Sequence, residues 1–429
     1  MHGMLATLRQ RNFSLLWFGQ LISLIGDWLL FIALPFYIYT LTGSALATGI
    51  MFIIQTLPRI FLSSLAGVFV DRWSRKYTML ITNLIQSIVL LPLLLVHSKD
   101  MVWIVYAFAF VESCVSQFFM PAANAIIPNL VDKEHLLTAN SLNSMSQELT
   151  RLIGPLLGGV LMGVYGINSV VIVDACSFLI AACLLALITV QARPSQEQST
   201  ISQPMTALSK LWREWLAGLQ QVRQDKLILA IFLAFGVSMI AEGLLQVILA
   251  PWVKSVLHGN ALTFGWIATA QAIGGLLGSV LMPYVSKVMK PTRLIPLSGV
   301  LVGLLLLAIV NIPIFALDLV LVGLAGVAVI GFFVNLYTML QDSTTDAYRG
   351  RIFGAFGVVQ ALTMLLGMVL ASSLGDRIGI VPVLDMAASC DVLAGLLAIF
   401  VIRNLKQPVP EPEQAETNEP LEEKKEAIV

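Results

Sequence analysis

Residues 67–76 read GVFVDRWSRK: Asp71, Arg72, Arg75 and Lys76 packed into ten positions between two long apolar runs. The run before, from Thr48 to Val70, is apolar apart from Gln55, Thr56, Arg59 and two serines, and the run after, Tyr77 to Val96, holds no charge. A membrane-spanning helix needs about 20 apolar residues. The ten-residue stretch therefore reads as a tight turn at a membrane face with a spanning helix on each side. Gly67 lets the backbone turn or approach a neighbour closely. The cations sit where cytoplasmic phosphates and anionic lipids would hold them, so the plainest reading is a positive-inside anchor. An acid beside the cations, and the spacing G-x-x-x-D-R-x-x-R-K after a second span, ask more of the turn than anchoring.

The rest of the chain has the composition that this reading requires. It is 58% hydrophobic and 12% charged, with a mean hydropathy of +0.87, whereas soluble domains carry about 25% charge. Continuous apolar runs recur throughout. In lipid only helices and closed barrels satisfy the backbone, and continuous runs exclude the alternating barrel pattern. The expected fold is an all-α integral membrane protein of twelve transmembrane helices in two six-helix bundles. The spans are expected near 13–40, 45–70, 77–97, 101–123, 139–164, 168–190, 227–256, 261–286, 292–311, 314–340, 351–374 and 381–403. The start, with Arg9 and Arg11 ahead of a long apolar run, does not look like a cleaved signal peptide, whose apolar core is shorter. Of the 25 Lys and Arg, 20 fall at the N-terminus, in loops after even-numbered spans or in the tail. Lys99, Lys254 and Arg377 fall on the other side, and Arg59 and Arg151 within spans, so both termini are expected in the cytoplasm.

The domain plan follows: an N-terminal bundle over 1–190, a cytoplasmic linker over 191–226, a C-terminal bundle over 227–403 and an acidic tail over 404–429. In the linker, Leu208, Leu211, Trp212, Trp215, Leu219 and Val222 recur at helical spacing beside Lys210, Arg213 and Arg223. That pattern suits an amphipathic helix at the interface, or a solvated linker helix. From Asn404 the tail carries seven glutamates against three lysines, with Pro408, Pro410, Pro412 and Pro420, and is too polar to bury a core. Gly278–Lys287 occupies in the second half the place of the charged turn in the first, with Met282 where Asp71 would be. Repeats of six spans around a midplane site are a transporter plan.

Ionisable groups at mid-span are costly and mark candidate functional residues. Asp27, Arg59, Glu112, Glu148 and Arg151 lie at mid-depth in the first half, and Glu242 and Asp391 in the second, while Asp174, Asp318 and Asp385 read as closer to the outer face and in contact with water. Ion pairs, Asp27 with Arg59 and Glu148 with Arg151, are the structural alternative. Three acids against two arginines leave a carboxyl over, and a carboxyl kept from water can hold a proton at neutral pH. Glu112 and Asp27 lead as proton carriers, with Glu148 and Glu242 behind them. Span five holds RLIGPLLGGVLMG, where Gly154, Pro155, Gly158 and Gly159 permit a bend and close helix contact.

GVFVDRWSRK resembles the loop signature, and GPxxGG the fifth-span antiporter signature, of the major facilitator superfamily. RNFSLLWFGQLISLIGDW, LTGSALATG and PAANAIIPNLVDKEHLLTANS are similar to its drug:proton antiporter-3 branch, which includes macrolide-efflux carriers and the enterobactin exporter. The resemblance is good over spans one to six and rests mainly on topology beyond them. It implies a cytoplasmic gate of Gly67, Asp71, Arg72, Arg75 and Lys76 and a hinge of Gly154, Pro155, Gly158 and Gly159. Span four lacks the arginine that other drug-antiporter branches use in proton transfer.

The expected function is a secondary exporter in a bacterial cell membrane. It moves apolar or amphipathic small molecules, of the drug, macrolide or siderophore class, by alternating access and proton antiport. A lipid or lysophospholipid translocator on the same fold is the alternative. The cavity candidates Trp28, Phe31, Phe118, Phe119 and Trp266 read more readily as helix packing than as ligand contacts. There is no GxxxxGK[ST] stretch for ATP. His2, His97, His135 and His258 are scattered, and Cys114, Cys176, Cys183 and Cys390 fall within apolar runs. No metal, cofactor, enzymatic activity or nucleic acid is therefore expected. The partners are protons, a small-molecule substrate and membrane lipid, and the protein is expected to be a monomer.

Overall fold

The structure is a computed structural model that describes residues 2–189, 222–223, 225–344 and 346–404. The amphipathic linker helix, apart from 222–223, and the acidic tail beyond Asn404 lie outside the described residues. Among the described residues a short helix, α1 (His2–Leu8), precedes twelve long ones. These are α2 (Arg11–Thr42), α3 (Ala45–Arg72), α4 (Arg75–Leu90, prolonged by a 3-10 turn to Leu95), α5 (Val102–Leu130), α6 (Leu136–Tyr165) and α7 (Ile167–Ala186). Then follow α8 (Lys226–Ser255), α9 (Ala261–Val288), α10 (Pro291–Asn311), α11 (Phe315–Asp342), α12 (Asp346–Ile378) and α13 (Ile380–Asn404). No strand occurs among the described residues.

Each of the twelve stretches expected to span coincides with one of these helices. Eleven are long and apolar enough to cross a membrane; the exception is α6, the helix that carries Glu148 and Arg151. Most ends differ from expectation by a few residues. The largest departures are α5, which runs on to Leu130 through Pro121 and Pro128, and α12, which begins at Asp346. Membrane helices tolerate proline because neighbours and local adjustment satisfy the freed carbonyls. The starts are set by ordinary caps. Ser44 accepts from Ala47 N, Asp225 accepts from Leu227 N and Ile228 N, and Asn260 forms a capping box with Thr263. Gly43 and Gly166 end α2 and α6 with φ of 65° and 78°, a left-handed backbone that favours glycine.

Helices α2 to α7 pack mainly on one another, and so do α8 to α13. Two seams join the groups: α3 against α12, and α6 against α9. Because the connections are short, successive helices reverse direction. The start of α2, the α3–α4 turn and the end of α13 share one face, called here the terminal face; the α2–α3, α6–α7, α8–α9 and α12–α13 turns share the opposite face. The outward sides of the helices display large apolar residues such as Phe61, Trp103 and Val280. This inside-out pattern suits hydrocarbon, not water. The chain is an all-α, multi-pass cell-membrane protein.

The two seams close at the opposite face. Along α3 and α12, Gly49 faces Ser372, Gly375 faces Ala45, and Asp376 is hydrogen-bonded to the start of α3. Along α6 and α9, Gly159 faces Ala261, Leu262 and Gly265, and Gly163 faces Leu262. Phe36 of α2 stacks on Phe264 of α9 at 6.4 Å. Towards the terminal face the helices diverge. Gly67 on α3 and Gly350, Gly354 and Gly357 on α12 have open space where a side chain would go. The molecule is shut at one face and open at the other.

Candidate functional site

Two cavities meet near the middle of the molecule, with Trp28 and Phe31 of α2 lining both. These two rings pack edge to face at 5.2 Å, and Phe31 continues to Phe52 at 6.4 Å. The first cavity, of about 290 Å³, lies within the α2–α7 group. Its wall is mostly aromatic and aliphatic but carries Asp27, Glu112, Asp174 and Gln55. Asp27 and Glu112 were expected at mid-depth, and the structure brings them together. Gln55 and Gln86 lie within polar reach of Glu112.

Asp174 is the residue that the sequence reading missed. Placed near the outer face and taken as wet, it is instead fully buried and faces this cavity. Its Oδ1 accepts from Ser177 Oγ at 3.2 Å, and its Oδ2 has no hydrogen-bond partner. It reaches α2 because Gly26 leaves room there: a side chain at Gly26 would collide with Asp174 and Ser177. The signal was available. Asp174 stands one turn before a serine and well inside a helix of 20 residues. Asp318, also read as wet, is buried as well, with neither carboxylate oxygen partnered. Asp385 is tied to Asn311 Nδ2 at 2.9 Å on the surface.

The expected ion pair of Asp27 with Arg59 does not form. Arg59 is exposed on α3 and lines neither cavity. The charges acting on Asp27 are those of Asp174 and Glu112. Among the described residues no Lys or Arg lines this cavity, so three carboxyls share it without a compensating cation among them.

The second cavity, of about 260 Å³, lies mainly among the C-terminal helices and is lined by Arg151, Glu242, Asp391, Ser238, Gln246 and Gln271 with Trp252, Phe264, Phe332 and Phe333. Ser238 Oγ donates to Asp391 Oδ1 at 2.7 Å, linking α8 to α13. Arg151 reaches this cavity from α6, and its positive charge acts on Glu242 of the other group. It was expected to neutralise Glu148 on its own helix; Glu148 is exposed and lines neither cavity. Of the five aromatic candidates, Phe118, Phe119 and Trp266 also line neither. Phe118 and Phe119 pack near the terminal face, where Phe118 stacks on Trp73 at 5.8 Å. Trp266 is exposed on α9.

The charged turn divides into two parts. Arg75 Nη1 donates to Ala125 O of α5 at 2.7 Å, and Lys76 Nζ donates to Ala186 O and Ile188 O at the end of α7 at 2.8 and 2.7 Å. Carbonyls at a helix C-terminus carry partial negative charge and lack helical partners, so cations are favoured there. These two residues bind the turn to its own helix group. Asp71 and Arg72 are exposed at the terminal face.

The glycine-rich stretch of α6 also has two sides. The helix runs unbroken through Pro155. Gly154 packs on the Trp28 side chain, and a Cβ on Gly158 would lie 2.9 Å from both Leu29 Cα and Leu29 O, so these two face α2 within the group. Gly159 faces the other way, where a Cβ would lie 2.7 Å from Ala261 O and 3.2 Å from Gly265 Cα. The same short motif thus packs one group and closes the seam between the two.

These features agree with what the chain resembles. It is 26% identical to macrolide efflux protein A of Streptococcus pyogenes over 377 residues, 86% of this chain and 90% of that one. It is 24% identical to the staphyloferrin A transporter of Staphylococcus aureus over 387 residues, 89% of this chain and 94% of that one. A crystal structure of a bacterial homologue of the iron transporter ferroportin in an inward-facing state superposes with a TM-score of 0.72 at 17% identity, covering 92% of this chain and 99% of that one. The outward-facing form of a bacterial ferroportin homologue gives 0.55 at 16% identity, over 91% and 99%. The profile of the transmembrane secretion effectors matches residues 2–428. The chain belongs to the transmembrane secretion effector family of the major facilitator superfamily, whose members related to it are efflux-type membrane transporters.

Proposed function

We propose that the protein exports apolar or amphipathic small molecules by alternating access and draws on the proton gradient to do so. The observation that carries this reading is the cavity in which Asp27, Glu112 and Asp174 stand together with no cation on its wall. Three carboxylates held away from water at close quarters repel one another, so such a set takes up protons or a cationic ligand. A transporter that exposes this set first to one side and then to the other would carry protons down their gradient. At 100 mV each charge moved supplies about 2.3 kcal/mol.

The terminal face is the cytoplasmic one in this proposal, because most Lys and Arg flank it. The molecule is then open to the cytoplasm and sealed outside, ready to load. The aromatic walls of the two cavities suit an apolar body, and the carboxyls, amides and Arg151 suit a few polar groups. The similarity to a macrolide exporter and a siderophore transporter supports a bulky amphipathic cargo. The test is proteoliposome transport of macrolides, cationic dyes and a lysophospholipid with and without an imposed pH gradient. Gradient-dependent movement of a macrolide or dye is expected. Movement of lysophospholipid alone, or movement indifferent to the gradient, would overturn the reading.

A further inference from the structure

The seam between α3 and α12 ends in a contact that neither motif includes. At the opposite face the Asp376 carboxylate, from the last turns of α12, sits on the N-terminus of α3. Its Oδ1 accepts from Ala45 N at 2.6 Å; its Oδ2 accepts from Ser44 Oγ at 2.5 Å and from Leu46 N at 3.2 Å. The first amides of a helix have no partner within it and carry partial positive charge, so a carboxylate is held there by both charge and hydrogen bonds. Here the carboxylate comes from the other helix group. Ser44 also caps α3 on its own account, its Oγ accepting from Ala47 N at 3.2 Å. One residue earlier, Gly375 packs on Ala45 and Ile248, and one turn earlier Ser372 packs on Gly49. These small contacts bring the carboxylate within reach.

We infer that Asp376 is the latch of the opposite face: a positioning residue that holds the two groups together when the terminal face is open and lets go when the transporter turns over. The hydrogen bonds across this seam cannot survive separation of α3 from α12. The contact therefore belongs to one state of the cycle, and its loss must favour the other. The proposal rests on the alternating-access reading above, but on neither its substrate nor its coupling ion.

The test measures which side can reach the cavity, with no substrate or gradient present. On a background in which Cys114, Cys176, Cys183 and Cys390 are serine, Leu249→Cys places one thiol on the wall of the second cavity. A membrane-impermeant maleimide is applied from outside to intact cells de-energised with an uncoupler, and separately to inverted vesicles. With Asp376 intact, labelling is expected to be slow from outside and fast from inside. Asp376→Asn keeps the shape and one carbonyl acceptor but loses the charge, and Asp376→Ala loses the acceptors altogether. Asp376→Asn should raise the outside rate and lower the inside rate. Asp376→Ala should do so more strongly, by about tenfold, the factor that one charged hydrogen bond supports. Opposed changes on the two sides are not produced by general loosening. If Asp376→Asn labels at the parent rates, or if both sides speed up together, the latch is wrong.

Discussion

Gly159 of α6 and Gly265 of α9 stand directly opposite each other across the seam, so that a Cβ on Gly159 would come within 3.2 Å of Gly265 Cα and 2.7 Å of Ala261 O. Neighbouring Gly158 is equally crowded, but by the backbone of Leu29 in its own group. The two glycines should therefore fail differently. Gly158→Leu forces α2 off α6 and should lower stability by roughly 1–3 kcal/mol or prevent folding. Gly159→Leu should leave each group packed and hold the seam open, giving a well-folded protein that transports slowly. Thermal melting of the purified protein beside transport separates them. Equal melting points in the two variants would remove the distinction.

The acid cluster leads to a second expectation. With Arg59 outside the cavity, Asp27 has lost its expected structural partner and should behave as Glu112 does. Asp27→Asn and Glu112→Gln should each remove gradient-driven accumulation while leaving energy-independent counterflow, which needs no net proton movement. For one proton at 100 mV the lost driving force is about 2.3 kcal/mol, a roughly fiftyfold smaller accumulation ratio. Asp174→Asn, read out in the same way, tests whether the third carboxyl belongs to the set. Full gradient response in both Asp27→Asn and Glu112→Gln would move attention to Glu242.

The charged turn should separate stability from gating. Lys76→Ala strips two helix-end carbonyls of their cation and should cost about 1–2 kcal/mol of stability. Asp71→Asn touches no such anchor. It should leave the melting point alone and cut transport, if Asp71 holds the terminal face shut in the other half of the cycle. Cysteine cross-linking between the turns after α3 and α11 reports that closure. Unchanged cross-linking with lost transport would exclude the gating role of Asp71.

Trp28 stands between the two cavities and packs on Gly154. Trp28→Ala would merge them and delete the ring contact with Phe31, an interaction worth about 1 kcal/mol. The concentration of macrolide or dye giving half-maximal transport should shift by about fivefold, more for bulky substrates than for small ones. No shift for any substrate would mean that Trp28 is packing alone.

Much of this was legible in the chain because lipid makes strict demands. A run such as Tyr77–Val96, without a charge, has few options besides a helix. Depth was harder to read than sequence position suggested. Asp174 looked peripheral along its helix, yet Gly26 on α2 gives it a way into the cavity, and such a gap is visible only when two helices are laid together. The pairing of Asp27 with Arg59 failed for a related reason: helical periodicity puts a residue at a depth, but the side of α3 on which Arg59 lies depends on tertiary packing. Phe118, Phe119 and Trp266 were likewise at plausible depths and on the wrong faces. Arg151 lines the second cavity, where its charge acts on Glu242 of the other helix group and not on Glu148 of its own helix.

The seams at the opposite face are built from small residues: Gly159 and Gly265 of α6 and α9 lie backbone to backbone, and Gly49 and Gly375 lie against the short side chains of Ser372 and Ala45. A barrier built from long side chains can part by rotamer changes, one residue at a time, and so can drip. A barrier built from main chain has nothing to swing aside; it yields only when whole helices move apart. Gly159 and Gly265 thereby make the parting of the α6–α9 seam an all-or-none event. In the proposed exporter, small thermal motions would then not let ions slip across between cargoes, and the gradient would be spent only on complete strokes.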